Sequence, residues 1–179
     1  MAGRSEALAK KFEAKAAEAT AVFEKLSDAD WKKKTAGDWS VAVTAHHIAS
    51  SHAGLSGVVK MLRAGQGPAI TMDMIHAGNA KHAQEFANCT KAETIALHKK
   101  NAAEAAAIVR GLTDAELDNK GVVLQGMPAM SAGDLAGGPS RHRAELDAHV
   151  VAAGEALGLV APERGAHHHD HEQRPAGCA

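Results

Sequence analysis

Hydrophobic side chains recur every three to four residues along most of the chain, which is the period of an α-helix. Ser5 can cap the first helix that this pattern predicts, and Asp38 or Ser40 can cap the second, which ends near Gly65. The helices predicted before the last third of the chain span residues 5–26, 38–65, 71–86 and 90–112.

The second half of the sequence contains two predicted capping boxes, in each of which a Thr is followed three residues later by a Glu. Thr90 opens the fourth predicted helix, and Thr113 opens a short turn of helix that ends near Asp118. Residues 119–130 contain Gly, Pro and β-branched residues and predict a loop with a short extended piece. A last long helix is predicted over residues 131–157, with a kink or a fresh start near Pro139.

Four main helices with one long connection predict an all-α fold, a four-helix bundle. Aromatic residues make up only 3% of the chain and Tyr is absent, so the core must be built from aliphatic and small side chains. This composition suits close helix packing. Residues 1–160 are therefore expected to form one domain, and residues 161–179 a disordered His-rich tail that chelates metals weakly or is a remnant of a purification tag.

The overall charge gives no indication of a polyanionic partner. Twenty basic residues face 21 acidic ones, so neither nucleic acid nor a membrane surface is an expected partner. The amino terminus lacks the apolar centre of a signal peptide, and two isolated cysteines make no disulfide framework. The expected setting is the cytoplasm, and the expected partner is a small molecule.

Three polar side chains share a face of the last predicted helix where apolar residues would be expected. His142, Glu145 and His149 are separated by three and then four residues, which aligns them along a helix. Ala152 and Ala156 continue the same stripe, so the face is predicted to point into the bundle. Buried imidazoles and a carboxylate need a partner, and a divalent metal ion is the partner that fits them.

Glu145 and His149 are one turn apart and can bind one ion together, and the second predicted helix offers a third ligand, for which His142 is the competing candidate. His47 shares its broad apolar side with Val43 and Val58, whereas His46 falls among small residues and Lys60, on a face expected near solvent. His47 is therefore favoured as the ligand. Three protein ligands leave one position open for water or substrate, which is typical of catalytic zinc sites.

The remaining histidines of the predicted bundle are weaker candidates. His52 is expected either at the mouth of the pocket or in the core, bonded to a backbone carbonyl. His98 could approach the core, and His76 and His82 are expected to have structural or rim roles, with His76 and Asn79 as possible pocket lining.

Five segments of the chain resemble the DinB-like superfamily of four-helix bundles, over about residues 6–160: DWSVAVTAHHIASSH, IHAGNAKHA, LTDAELD, SAGDL and AELDAHVVAAGEALG. The resemblance implies that Trp39 opens the second helix and that His47 binds metal. In this superfamily the last helix usually supplies two histidines four residues apart, and here Glu145 and His149 stand at those positions. A His, Glu, His set resembles the branch of the mycothiol-dependent maleylpyruvate isomerases, which implies zinc, a low-molecular-weight thiol as cofactor and, as in many such bundles, a possible homodimer.

The leading hypothesis is a metal-dependent thiol transferase or isomerase. Zinc, with nickel as an alternative, would be held by His47, Glu145 and His149, and the open position would bind a thiol such as mycothiol and lower its pKa. His142 or His52 would move a proton as the catalytic residue. A hydrolytic variant would use the same residues to activate water.

Two alternatives keep the same fold. The first is a non-catalytic metal-binding or stress-related bundle, in which the ion stabilises the protein or is stored. The second is a purely structural bundle without metal, in which Glu145 pairs with Arg141 and His149 is a hydrogen-bonded core histidine.

Overall fold

The structure is a computed structural model that describes residues 3–35 and 39–137. Helices dominate the described ranges, and strands are limited to one two-residue pair. The elements are α1 (Arg4–Lys25), α2 (Asp28–Trp31), α3 (Val41–Leu62), α4 (Met72–Glu85), α5 (Lys91–Arg110), α6 (Asp114–Asp118), β1 (Lys120–Gly121), β2 (Met130–Ser131) and α7 (Ala132–Gly137).

The bundle is organised around α5, which packs along both α1 and α3. The contacting faces are rich in alanine, and most of the large side chains in the core lie towards the ends of these helices. Asn101 of α5 is buried and donates from Nδ2 to the Ala49 carbonyl oxygen at 2.8 Å, which links α5 to α3. Arg110 of α5 is paired with Glu6 and Glu13 of α1 at the surface. The predicted helical bundle is confirmed.

Side-chain caps fix where the helices begin. Ser40 accepts from the Val43 N–H at 3.2 Å, and Thr113 forms the predicted capping box with Glu116. The short helix α2 was not predicted from the sequence, although it begins with a capping box between Ser27 and Asp30. That box has the same three-residue spacing as the others, but its helix is only one turn long and carries no apolar period.

The connection after α3 lies against the segment that follows β1. Ala69 and Ile70 donate their N–H groups to the carbonyls of Val122 and Val123, at 3.1 and 2.8 Å. Gly121 packs directly against the Gln66 backbone, so that a Cβ at this position would lie 2.6 Å from the Gln66 carbonyl oxygen. This contact fixes the point from which α4 begins.

The start of the last predicted helix is confirmed at α7, where Ser131 and Asp134 cap each other's backbone N–H groups at 3.1 and 2.9 Å. The predicted kink near Pro139 and the tail lie outside the described residues. Of the helices in the described ranges, none has both the length and the apolar character to cross a lipid bilayer.

The contact between Gly121 and Gln66 gives a first prediction. Gly121→Ala should lower the free energy of unfolding by about 2–3 kcal/mol, because the new methyl group would overlap the backbone of Gln66. Gly57→Ala is the matched control: Gly57 lies exposed within α3 and its Cβ would meet open space, so this change should stabilise the protein by about 0.5–1 kcal/mol. Urea unfolding of both variants checks the pair, and equal stabilities would contradict the close contact.

Candidate functional site

Two adjacent histidines in the first half of α3 lie on different sides of the helix, because neighbouring residues are about 100° apart. His46 is buried and His47 is half-buried. Trp39 immediately precedes the Ser40 cap, so the start of α3 places an indole ring next to His47.

His47 lies between two other rings. Its ring centroid is 5.1 Å from that of Trp39 and 5.0 Å from that of His82, with the rings edge to face in both cases. Trp39 and His82 also stack on each other at 6.1 Å, with 28° between their planes. The three rings come from the start of α3, its second turn and the last turn of α4.

His46 forms the inner part of the same cluster. The Phe86 ring stacks on it with centroids 3.8 Å apart, and only 8% of His46 is exposed. Its Nδ1 lies 3.4 Å from Nε2 of His82 and 3.3 Å from Oγ of Ser50. Because the Ser50 hydroxyl donates its hydrogen to the His46 carbonyl at 2.9 Å, the Ser50 oxygen faces Nδ1 as an acceptor.

The expectation that His46 faces solvent was wrong. The small residues beside it, Ala42 and Ala49, are buried against other helices, and Phe86 covers the imidazole itself. On α3, the face of small residues is therefore one that packs closely against other elements. Close packing on this side of α3 buries His46 together with the small residues beside it.

Burial lowers the pKa of His46 and of His82 below the usual value for histidine. For His46, the nearby His82 acts in the same direction, since two imidazolium charges side by side repel each other. For His82, Glu85 and a backbone hydrogen bond with Val43 act against the effect of burial. The neutral form of both rings is therefore favoured near pH 7, and neutral imidazole is the form that binds metals.

A second pair of histidines lies deeper in the bundle. The ring centroid of His52 is 5.2 Å from that of Phe12 and 4.9 Å from that of His98, and His98 in turn contacts Phe23 at 5.3 Å. His98 is only 1% exposed, so the expectation that it approaches the core is confirmed. His52 is half-buried and packs in this second cluster.

The hydrogen bonds around His98 determine its tautomer. The Thr20 hydroxyl donates to the Ala16 carbonyl at 3.0 Å, so its oxygen accepts from Nδ1 of His98, also at 3.0 Å. Nε2 then carries the lone pair, is buried and has no hydrogen-bond partner among the described residues. Burial lowers the pKa of His98 to about 4, with the neighbouring Lys99 acting in the same direction.

The predicted ligands fall in different parts of the chain. His47 lies in the aromatic cluster, whereas Glu145 and His149, together with the catalytic candidate His142, lie outside the described residues. Within residues 3–35 and 39–137, no three His, Cys, Asp or Glu side chains come close enough together to hold an ion. The described part of the chain thus contributes His47 to the predicted ligand set.

The position of His82 beside His47 was not predicted from the sequence, from which a structural or rim role was expected. His82 and Phe86 are four residues apart and so lie on one side of the last turn of α4 and its cap. This spacing was the available signal. The expected pocket residue His76, by contrast, is exposed.

Comparison with known proteins identifies the family and the fold. The sequence profile of the DinB superfamily matches residues 11–171. No curated protein sequence matches the chain.

Two solved structures share the fold. YfiT from Bacillus subtilis, described as a probable metal-dependent hydrolase with an unusual four-helix bundle topology, is 17% identical, with a TM-score of 0.68 over 87% of this chain and 89% of that one. A variant of the mycothiol-dependent maleylpyruvate isomerase is 12% identical, with a TM-score of 0.63 over 84% of this chain. The chain covers 59% of that isomerase. At these identities the likeness establishes the architecture.

The buried imidazole of His98 predicts a loss of stability in mild acid. Its folded pKa of about 4 lies below the unfolded value of about 6.5, so the unfolded chain binds the extra proton as the pH falls through this interval. The free energy of unfolding should therefore be about 2 kcal/mol lower at pH 5 than at pH 7 on account of His98 alone. Urea titrations at the two pH values measure the difference.

Two variants separate this effect from that of the other histidines. His98→Gln should remove about 2 kcal/mol of the pH dependence, because glutamine does not titrate. His76→Gln, at an exposed position on α4, should leave it unchanged. An undiminished pH dependence in His98→Gln would assign the acid sensitivity to other groups.

Proposed function

Because the chain belongs to the DinB superfamily, we propose that it is a metal-dependent bundle enzyme that acts on a small electrophilic substrate. The proposed ligands are His47, Glu145 and His149, and the proposed ion is zinc, with nickel as the alternative. The proposed co-substrate is a low-molecular-weight thiol such as mycothiol.

The position of His47 is the observation that carries this proposal. It is half-buried at the second turn of a capped helix, where Trp39 and His82 confine its ring. A metal ligand must be held in a fixed orientation, and packing against two rings provides that. Two imidazoles and one carboxylate form a donor set that suits zinc and leaves one coordination position open.

An ion held by these residues would lower the pKa of a thiol or a water bound at the open position, giving a nucleophile near neutral pH. The described residues supply the surroundings for such chemistry. Trp39, His82 and Phe86 form an aromatic wall beside His47 that limits the access of water. We further propose His142 or His52 as the residue that moves a proton; His52 is half-buried beside His98, in the second cluster.

The choice between a thiol and water separates two functions. The His, Glu, His pattern favours the thiol, since it resembles the branch of the mycothiol-dependent isomerases. The likeness to YfiT, which extends over 89% of that chain, favours a hydrolase. Both functions require the same three ligands, so metal binding is tested first.

Elemental analysis of the full-length chain tests the ligand set. After loading with Zn²⁺ and dialysis against a weak competitor, wild type should retain about one equivalent. His47→Ala, Glu145→Ala and His149→Ala should each weaken binding by more than about 100-fold, because each removes a direct ligand. The control His76→Ala should behave as wild type, since His76 is an exposed residue of α4.

A second control addresses the tail, whose four histidines could hold ions of their own. Replacing His167, His168, His169 and His171 by Ala should leave the tightly bound equivalent in place. A wild-type protein that retains no metal, or a His47→Ala protein that retains all of it, would contradict the proposed function. Circular dichroism of each variant excludes loss of fold as the cause.

The thiol is tested on protein loaded with Co²⁺, whose visible spectrum reports the ligands of the ion. Mycothiol added to wild type should produce the charge-transfer band of a cobalt–thiolate bond, because the open position would take up the sulfur. Its methyl thioether, which cannot form a thiolate, serves as the control. A tightly bound ion without a response to the thiol would instead favour the hydrolase, to be assayed with ester and amide substrates.

A further inference from the structure

The helix α4 is attached to the bundle differently from α1, α3 and α5. No residue of α4, all of which are described, is buried. Met72 and Met74 are 49% and 60% exposed, and the helix packs chiefly on α3. A helix that buries so little of its own surface gains little from remaining in place.

Both ends of this helix are nevertheless fixed. At the amino-terminal side, Ala69 and Ile70 bond to the backbone after β1, and Ala69 has a positive φ of 46°. At the carboxyl-terminal side, the Cys89 carbonyl accepts from Nε1 of Trp31 at 3.0 Å, and Cys89 Sγ donates to the Ala42 carbonyl at 3.3 Å. These anchors lie outside the helix, so none of them holds a side chain of α4 itself.

Two rings near the end of α4 hold it against α3. His82 lies against His47 and Trp39, and Phe86 stacks on His46. His82 also forms a hydrogen bond with the backbone of Val43, whereas its hydrogen bond with His46 is long, at 3.4 Å, and therefore weak. These contacts are all made in the cluster that surrounds the proposed ligand His47.

We propose that α4 is a hinged cover over His47, with His82 and Phe86 as the positioning residues that hold it closed. Opening separates these two rings from α3 and exposes His46 and the side of His47 that His82 now contacts. The part of this inference that concerns admission of a substrate rests on the proposed function. The opening itself does not, because it follows from how α4 is attached.

Carbethoxylation of histidines by diethyl pyrocarbonate, quantified residue by residue by mass spectrometry, tests the cover on the full-length, metal-free chain. The reagent attacks neutral imidazole nitrogens that reach solvent. The reaction rates of three histidines that differ in burial are therefore compared. His76 is exposed on α4, His46 lies beneath the cover, and His98 is in the core. In wild type, His46 should react more slowly than His76 and clearly faster than His98. Of these three histidines, only His46 is uncovered by movement of α4.

Variants of His82 and Phe86 then test whether these two rings control the reaction rate of His46. His82→Ala and Phe86→Ala should each raise the reaction rate of His46 by about three- to tenfold, as expected for the loss of one or two ring contacts. The rate of His98 should not change, which shows that the bundle stays folded. Phe86→Leu, which keeps an apolar side chain over His46, should restore most of the protection.

The control is Met74→Ala, which alters an exposed side chain of the same helix and should leave the rate of His46 unchanged. Phe86→Ala also separates opening from a changed reactivity of His46, because it leaves His82 in place. A His46 rate equal to that of His98 in wild type, or unchanged in both Phe86→Ala and His82→Ala, would overturn the cover. Either result would leave the metal-binding proposal intact, since no ion takes part in this experiment.

Discussion

The close approach of α5 to α1 and α3 is the constraint on which the rest of the structure depends. Alanine faces make it possible, because a methyl side chain lets helix backbones approach each other closely. Ala49 on α3 and Ala106 on α5 are completely buried, and so is Ala9 on α1. A chain with three phenylalanines and two tryptophans can fill its core only if its helices lie this close together.

This packing also sets the rotation of α3 about its own axis. Because Ala42 and Ala49 lie inside, His46 lies inside with them, and the next residue along the helix is carried to the side where Trp39 and His82 lie. The bond from Asn101 to the Ala49 carbonyl fixes the same rotation by a directional contact in the core. The placement of His47 is therefore a consequence of packing on the opposite side of its helix.

Much of the fold could be predicted from the sequence, because apolar periodicity and caps are local signals. The bounds of α1, α3, α4 and α5 follow from them to within a few residues, and the Thr113 box appears as expected. The errors have a common physical cause. Periodicity shows which face is apolar but not which neighbour covers it, so the small-residue face of His46 was assigned to solvent although Phe86, forty residues later, covers it.

The site was predictable only in part for the same reason. His47 could be selected because it stands on an apolar face of a long helix, which a single segment reveals. The spacing of His82 and Phe86 could place both on one side of a helix but could not show that they reach α3. That contact depends on how the connection between α3 and α5 folds back, to which the backbone contacts of Ala69 and Ile70 with residues after β1 contribute. Contacts between distant segments of irregular structure leave no periodic trace in a sequence.

The two sides of the site differ in how firmly they are held, and this difference has a functional meaning. His47 stands on a capped helix that packs along α5, so its backbone is held by extensive contacts. His82 stands on a helix without a buried residue, so its position depends on a few ring contacts and on its hydrogen bonds with His46 and the Val43 backbone. The proposed ligand His47 would need the first kind of support, and the proposed cover would need the second. The two residues lie side by side, with 5.0 Å between the ring centroids of His47 and His82.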